Sequence, residues 1–423
     1  MNSDLSKNEK KYSPARYALI IISSILVTVC TGAVYGWSIF VAPLQNAFNY
    51  TTADTQIIYG AMLISFTVVM LFINKILRKY GPRITTSIGA VIFCSGYIIA
   101  SFSGGNFAIM VFSMGILTGS GMSFGFVAVL NNLVKWFPNH KGLATGLAVC
   151  GYGGGAILLS QVAGFLLSHN WYVLDIFRFA GIMYGVLYLG FAQFLSTPYW
   201  YKYVPQEAHV DIRQLLKDRR FWVLFYVFFA GSFAGLLFNG NLEPIGISNG
   251  AATWAAGLAI TLFAVGNAAG RIFWGTVHDI LGGKKVVVTA LSILIVFTLL
   301  LLVFASNSIA FMIIAFVLGI AYGSNFVAYA ADCSDIWGVA RLDITYPAIS
   351  IAYGLSGLAG PVVGGAIRDA TGSYAIALVV GAVVCATGIA VYAGLMPQTG
   401  KIRQRDKVAS KATSEASSAT ISE

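Results

Sequence analysis

Charge is what this chain has least of. Lysine, arginine, aspartate and glutamate make up 10% of its 423 residues, against about 25% in soluble domains. A chain so poor in charge cannot cover a water-exposed surface, which excludes an ordinary soluble protein. Histidine is scarcer still. The 4 histidines, His140, His169, His209 and His278, fall in loops or at helix ends, which argues against histidine-based catalysis and metal binding. The 5 cysteines (Cys30, Cys94, Cys150, Cys333 and Cys385) lie in apolar runs, without metal-ligand or disulfide-framework spacing. They read as small buried hydrophobes. Clustered acids and histidines that would mark a membrane enzyme are missing. So is the large soluble domain of a receptor. The expectation is no catalysis, no metal and no cofactor.

What is abundant is apolar. Hydrophobic residues make up 57% of the chain, mean hydropathy is +0.78, and there are 46 glycines, the small residues that let membrane helices approach closely. Apolar runs of spanning length, about 20 residues, recur at 17–43, 55–77, 84–102, 107–134, 142–168, 173–196, 220–242, 251–274, 285–305, 308–331, 344–367 and 373–396. These predict twelve transmembrane helices, since runs this long exceed barrel strands and only helices or closed barrels satisfy the backbone in lipid. The first run is too long for a signal-peptide core and lacks a clear cleavage site, so it reads as a retained span.

The formal net charge is +10, and topology rather than nucleic-acid binding explains it. All but three of the 26 cations sit in the two tails and in the loops after spans 2, 4, 6, 8 and 10. By the positive-inside rule both termini face the cytoplasm, in a plasma membrane (an inner membrane if the cell is bacterial). The exceptions are Arg368 on the other side and Arg178 and Arg271 inside spans. The expected organisation is a cytoplasmic tail (1–16), a six-helix half (17–196), a loop (197–219), a second half (220–396) and a disordered polar tail (397–423). A weak repeat supports two halves: "NKILRKYGPR" from Asn74 pairs with "GTVHDILGGKK" from Gly275, and Gly81 then matches Gly282 and Trp136 matches Trp337. Duplicated halves suit alternating access.

Two short patterns mislead. "GYGGGA" (151–156) copies a dinucleotide glycine pattern and "GMSFG" (121–125) a hydrolase elbow. Both lie within spans, where neither the strand–turn–helix context nor a histidine partner exists, and close helix packing explains them. "GTVHDILGGKK" is stronger. Its G-x-x-x-D-x-x-G-x-K-K pattern, directly after a span on the basic side, resembles the signature loop of the major facilitator superfamily. That resemblance implies a conformational latch built on Gly275, Asp279 and Gly282. In the first half Asn74 and Arg78 replace the glycine and aspartate, so the latch there is degraded. A plain basic turn is the alternative.

Further segments fall in order along nearly the whole chain: "GAVYGWSIF" (32–40), "GPR" (81–83), "WFPNHKGLATG" (136–146), "RFWVLFYVFF" (220–229) and "SDIWG" (334–338). Together they resemble the oxalate/formate antiporter family, which includes bacterial monocarboxylate carriers. The resemblance implies an all-α major facilitator fold, no enzymatic activity and a small carboxylate cargo.

One cation then stands out. Arg271 follows Gly266 and Gly270 inside span 8, where an arginine costs at least about 2.5–3.5 kcal/mol. Snorkelling towards Asp279, about 12 Å along a helix, or a structural ion pair would offset this. The spans offer few acids, with Asp175 and Glu243 near the far ends. A carboxylate ligand held by a two-point fork is the remaining reading. The resemblance agrees, because the family holds substrate carboxylate with an arginine in span 8. It also implies aromatic walls at Tyr35, Phe126, Tyr152, Tyr322 and Phe326. Where the family's oxalate exchangers carry a lysine in span 11, this chain has Tyr353. One fixed charge suits a monocarboxylate, lactate or pyruvate in type, with Tyr353 donating a hydrogen bond. Related proton symporters have an aspartate where Asn267 stands, one turn before Arg271. Asparagine binds substrate but carries no proton, so symport with a proton and exchange for a counter-anion both stay open. A monomer is expected. Polar stripes at Thr31/Ser38, Asn131, Asn325/Tyr329 and Tyr346/Ser350 are equally open to helix–helix bonding. Arg178 reads as a local pair with Asp175 or a snorkelling cation, with an outer gate as the alternative.

Overall fold

The computed structural model describes residues 12–137, 141–199, 212–338 and 341–396, and the regular elements among them are all helices. The first half begins with α1 (Pro14–Gly32), which runs into a 3-10 stretch, Ala33–Phe40, and then α2 (Val41–Phe48). A 3-10 run of 8 residues is long for that geometry, and all of it is buried. Glycines set its position. A Cβ on Gly32 would lie 2.4 Å from Tyr152 Cα, and one on Gly155 would lie 2.1 Å from Val29 O. The first and fifth spans therefore touch backbone to backbone.

The helix α3 (Thr52–Ser101) has 50 residues, about 75 Å at 1.5 Å per residue, over twice the hydrocarbon thickness of a bilayer. It breaks at Gly81, with φ 75° and ψ 174°, where a side chain would be strained. Pro82 follows, its fixed φ suited to a first helical turn. The charges of Lys75, Arg78, Lys79 and Arg83 surround the break, so α3 is two crossings. Among the described residues, eleven helices are long and apolar enough to span a membrane; with α3 counted twice they make twelve crossings.

The fourth span is α4 (Phe107–Met110), a π-helical stretch (Val111–Thr118) and α5 (Gly119–Trp136). Then come α6 (Lys141–Ser168) and α7 (Val173–Ala192). A short α8 (Ile212–Lys217) precedes the second half: α9 (Arg219–Gly240), α10 (Leu242–Ser248), α11 (Thr253–Leu281), α12 (Gly283–Phe304), α13 (Ser308–Trp337), α14 (Leu342–Thr371) and α15 (Ala375–Leu395).

The repeat is structural as well. Gly282, between α11 and α12, has φ 80° and ψ 159°, the conformation of Gly81. Trp136 donates its indole N–H to the Ser196 carbonyl at 2.6 Å, and Trp337 donates to Asp218 Oδ2 at 3.1 Å. Each half is thus tied at its basic face by a matched tryptophan. Asp218 also caps α9 and pairs with Arg220 at 2.8 Å. Burial works against its charge, but the Arg220 and Trp337 hydrogen bonds hold its carboxyl below the usual range.

Apolar side chains face outward along the spans. Val186, Val303, Phe165 and Ile182 are 59–70% exposed, which water would not tolerate over so large a surface and lipid does. One expectation is corrected: span 10 does not end at 331, because α13 continues to Trp337 and carries Asp332 fully buried beneath the α11–α12 turn. The tails and residues 200–211 lie outside the described residues, as does the side chain of Cys150.

Candidate functional site

Two helices position Arg271. On α11, Gly266 and Gly270 press against α13, where an added Cβ would lie 2.2 Å from the Phe316 and Ile320 carbonyls respectively. From α13, Gly319 and Gly323 press back, where an added Cβ would lie 2.2 Å from the Phe263 carbonyl and 2.5 Å from that of Asn267 respectively. Two G-x-x-x-G faces interlock, and Arg271 leaves the α11 backbone where the interlock ends.

Its side chain stays inside, at 6% exposure. Nε donates to Asn267 Oδ1 at 3.3 Å, and Nη1 donates to the Val149 carbonyl on α6 at 3.4 Å. The guanidinium lies over Phe326, 4.7 Å from the ring centroid, with Tyr152 at 6.0 Å, within reach for cation–π attraction. No described ion pair involves Arg271; the described pairs are Arg178–Asp175, Arg220–Asp218 and His278–Asp332. Five N–H donors meet two long hydrogen bonds, so most of the fork is unspent.

The fork opens on a small cavity between the halves. The first half contributes Val34, Tyr35, Leu63, Phe66, Met122, Phe126 and Tyr152; the second contributes Arg271, Phe326 and Tyr353. Tyr353 Oη and Tyr35 Oη are 3.1 Å apart across the boundary. The Tyr353 ring is held by Phe66, Phe228 and Phe326, at centroid distances of 6.5, 6.1 and 4.9 Å. Buried Tyr152 and Tyr322 hydroxyls make no well-formed hydrogen bond.

The structure thus brings together six of the expected residues: Arg271, Tyr35, Phe126, Tyr152, Phe326 and Tyr353. Asn267 sits behind the guanidinium and steadies it. Tyr322 is one layer back, edge-on to Tyr35 at 6.5 Å and against Phe263 at 5.7 Å. Most other polar stripes bond within the protein. Tyr329 donates to the Val227 carbonyl, Tyr346 to that of Phe326 and Asn131 to that of Val127. Thr31 and Ser350 bond carbonyls of their own helices and Asn325 meets Ser232. Arg178 pairs with Asp175 at 3.5 Å. Phe66, Leu63, Val34 and Met122 went unread, because apolar residues in an apolar span carry no mark of which face they occupy.

At the basic face, a Cβ added to Gly275 would lie 3.2 Å from Val327 Cγ1 and Gly282 turns the chain; the side chain of Asp279 lies outside the described residues. Beside it, His278 Nε2 is 3.2 Å from Asp332 Oδ1, and Tyr392 donates to Asp332 Oδ2 at 2.5 Å. Sequence reasoning missed Asp332 by one residue.

At the opposite face the halves are latched together. Asp369, at the end of α14, accepts from the Thr52 and Ala53 backbone N–H groups at 3.1 and 2.9 Å, meeting the exposed donors of the α3 N-terminus. Gln56 donates to the Gly240 carbonyl at 3.0 Å, Asn239 to Tyr59 at 2.9 Å and Gln161 to Thr261 at 3.2 Å. These bonds all cross from one half to the other, between the cavity and that face.

Comparison with known proteins agrees with this architecture. The sequence profile of the Major Facilitator Superfamily matches residues 24–253 and, again, 242–419. The oxalate:formate antiporter of Oxalobacter formigenes is 23% identical over 391 residues, 91% of this chain and 93% of that one. Monocarboxylate transporter 2 of Meriones unguiculatus is 24% identical over 393 residues, 84% of this chain and 79% of that one. Twelve crossings in two matched halves, a cavity between them and a family match over both halves lead to one conclusion: the chain is a multi-pass membrane transporter belonging to the Major Facilitator Superfamily.

Proposed function

We propose that the protein carries small monocarboxylates of the lactate or pyruvate type, linked to proton movement, by alternating access. The observation that carries this reading is Arg271: a buried guanidinium with no described acid partner, on a cavity lined from both halves. A cation kept in that place is offset when an anionic ligand arrives, and a carboxylate matches the fork geometry. Tyr353 and Tyr35 supply hydroxyl donors, Asn267 fixes the guanidinium, and the aromatic walls exclude water. The basic face is cytoplasmic and the halves, 17–196 and 220–396, rock about the cavity. The cross-half bonds of Asp369, Gln56 and Asn239 then close the outer side, and Asp279 with Gly275 and Gly282 forms the latch at the inner side.

Oxalate–formate exchange is the second reading, favoured by the near-full coverage of the Oxalobacter antiporter. Against it stands Tyr353, which leaves a second carboxylate without a fixed counter-charge in a desolvated site.

Substituting Arg271→Gln tests the anchor. The variant is expected to purify as a folded species and to lose saturable lactate uptake in proteoliposomes by at least a hundredfold, about 2.7 kcal/mol. Uptake at the unmodified rate contradicts the anchor.

A further inference from the structure

One acid at the outer end is not used by the site just described. Glu243 lies in the first turn of α10, beyond the spanning part of α9, which ends at Gly240. Its Oε2 is sealed from solvent and has no hydrogen-bond partner, an expensive condition for a carboxylate and a tolerable one for a carboxylic acid.

The location matters as much as the burial. Three residues before Glu243, the Gly240 carbonyl accepts from Gln56 of the other half. The helix α10 packs against α11 of its own half and against the Ala33–Phe40 stretch of the other half. Gly246 of α10 also meets Phe311 of α13. These neighbours offer little charge. From Thr253 to Gly270 α11 has no ionisable residue, the Ala33–Phe40 stretch has only Tyr35, and α13 has none before Tyr322. On α14, Asp369 is engaged with the α3 N-terminus and Arg368 lies over the Tyr374 ring at 5.9 Å. Neither forms an ion pair with Glu243, and Tyr59 of α3 is taken by Asn239. Burial alone therefore pushes the Glu243 carboxyl up to about 7.

We propose that Glu243 is a proton-binding site that gates the outer face: closure of the two halves seals it in as the neutral acid, and their separation wets it and lets it ionise. The inference rests on the alternating-access reading and on the outer assignment of this face. The proton comes from external water and returns there when the face reopens. Glu243 therefore gates and does not carry the proton that accompanies cargo. The direction follows from linkage. The closed state holds the proton more tightly than the open state, where a hydrated glutamate titrates near its ordinary value of about 4.3. Acid therefore favours closure. The closed-to-open ratio falls by about tenfold per pH unit from near pH 5 to near pH 7, then levels off.

The test is a distance measurement across the outer face. Spin labels at Tyr172→Cys and Ile309→Cys occupy exposed positions in opposite halves, with native side chains 49% and 64% exposed. With Glu243 present, the short-distance population is expected to fall steeply between pH 5 and 7 and to stay flat from 7 to 8. Glu243→Gln, which imitates the neutral acid, is expected to hold the acid-side ratio throughout, and Glu243→Ala to lose the slope as well. Glu243→Asp keeps a titrating carboxyl and is expected to keep a slope. A slope that persists unchanged in the Gln and Ala variants, or one absent from the parent, overturns the proposal. Lactate accumulation driven by a pH gradient, measured separately, reports on proton-linked transport and not on this gate: its loss in the parent defeats the linkage while the distance profile still decides the role of Glu243.

Discussion

At the scale of single residues, a spanning helix tolerates an arginine only when something offsets its charge, and the surroundings of Arg271 offset it incompletely. Two hydrogen bonds of 3.3 and 3.4 Å and two aromatic faces hold the guanidinium in place. They neutralise nothing. Under the proposed function Tyr353, which stands at the boundary and is bonded to Tyr35 at 3.1 Å, sets how many carboxylates the cavity accepts. Replacing Tyr353→Lys adds a second cation beside the first. The expected result is a rise of at least tenfold in oxalate affinity relative to lactate, about 1.4 kcal/mol, read by competition. Unchanged selectivity places Tyr353 outside the ligand's reach. The legible part of the site was its chemistry: a lone cation and aromatics at matched positions. The illegible part was its apolar lining. Phe66 and Met122 differ from lipid-facing neighbours only in direction, and direction is set by packing that no local pattern records.

At the scale of elements, the α11–α13 pair shows how small residues convert into placement. Gly266 and Gly270 were readable as a packing face, but their partners Gly319 and Gly323 became evident only where the helices meet. A methyl group on Gly323 would lie 2.5 Å from the Asn267 carbonyl oxygen and 2.9 Å from Arg271 N. Both are backbone atoms that cannot swing aside. Gly323→Ala is therefore expected to separate the helices at the anchor, lowering stability by about 1–3 kcal/mol and transport with it. Melting in detergent and lactate uptake check this. Gly257→Ala, on the facing helix α11 with open space around it, is the control and should change neither; equal effects of the two refute the packing argument. The break in α3 was legible because Gly81-Pro82 and four cations interrupt the apolar pattern. The extension of α13 was not, since Asp332 looks like the end of a span until its partners His278 and Tyr392 are in view.

At the scale of the whole molecule, the two halves meet through contacts that no local sequence signal announces. The capping of the α3 N-terminus by Asp369 joins residues 317 apart in sequence, and neither end carries a mark of the other. With Gln56–Gly240 and Asn239–Tyr59, it defines one closed face, on the far side of the cavity from the basic loops. What the sequence did show at this scale came from charge: the alternation of basic and neutral loops sets the crossing order, and the matched Gly81 and Gly282 turns set the duplication. Under the proposed function this cavity, with one fixed charge, takes one carboxylate. The most direct measurement is uptake of labelled L-lactate into proteoliposomes, with unlabelled acetate, pyruvate, formate and oxalate as competitors. The expected result is saturable lactate uptake that monoacids block and oxalate does not. Trapping of oxalate with no lactate uptake would contradict it.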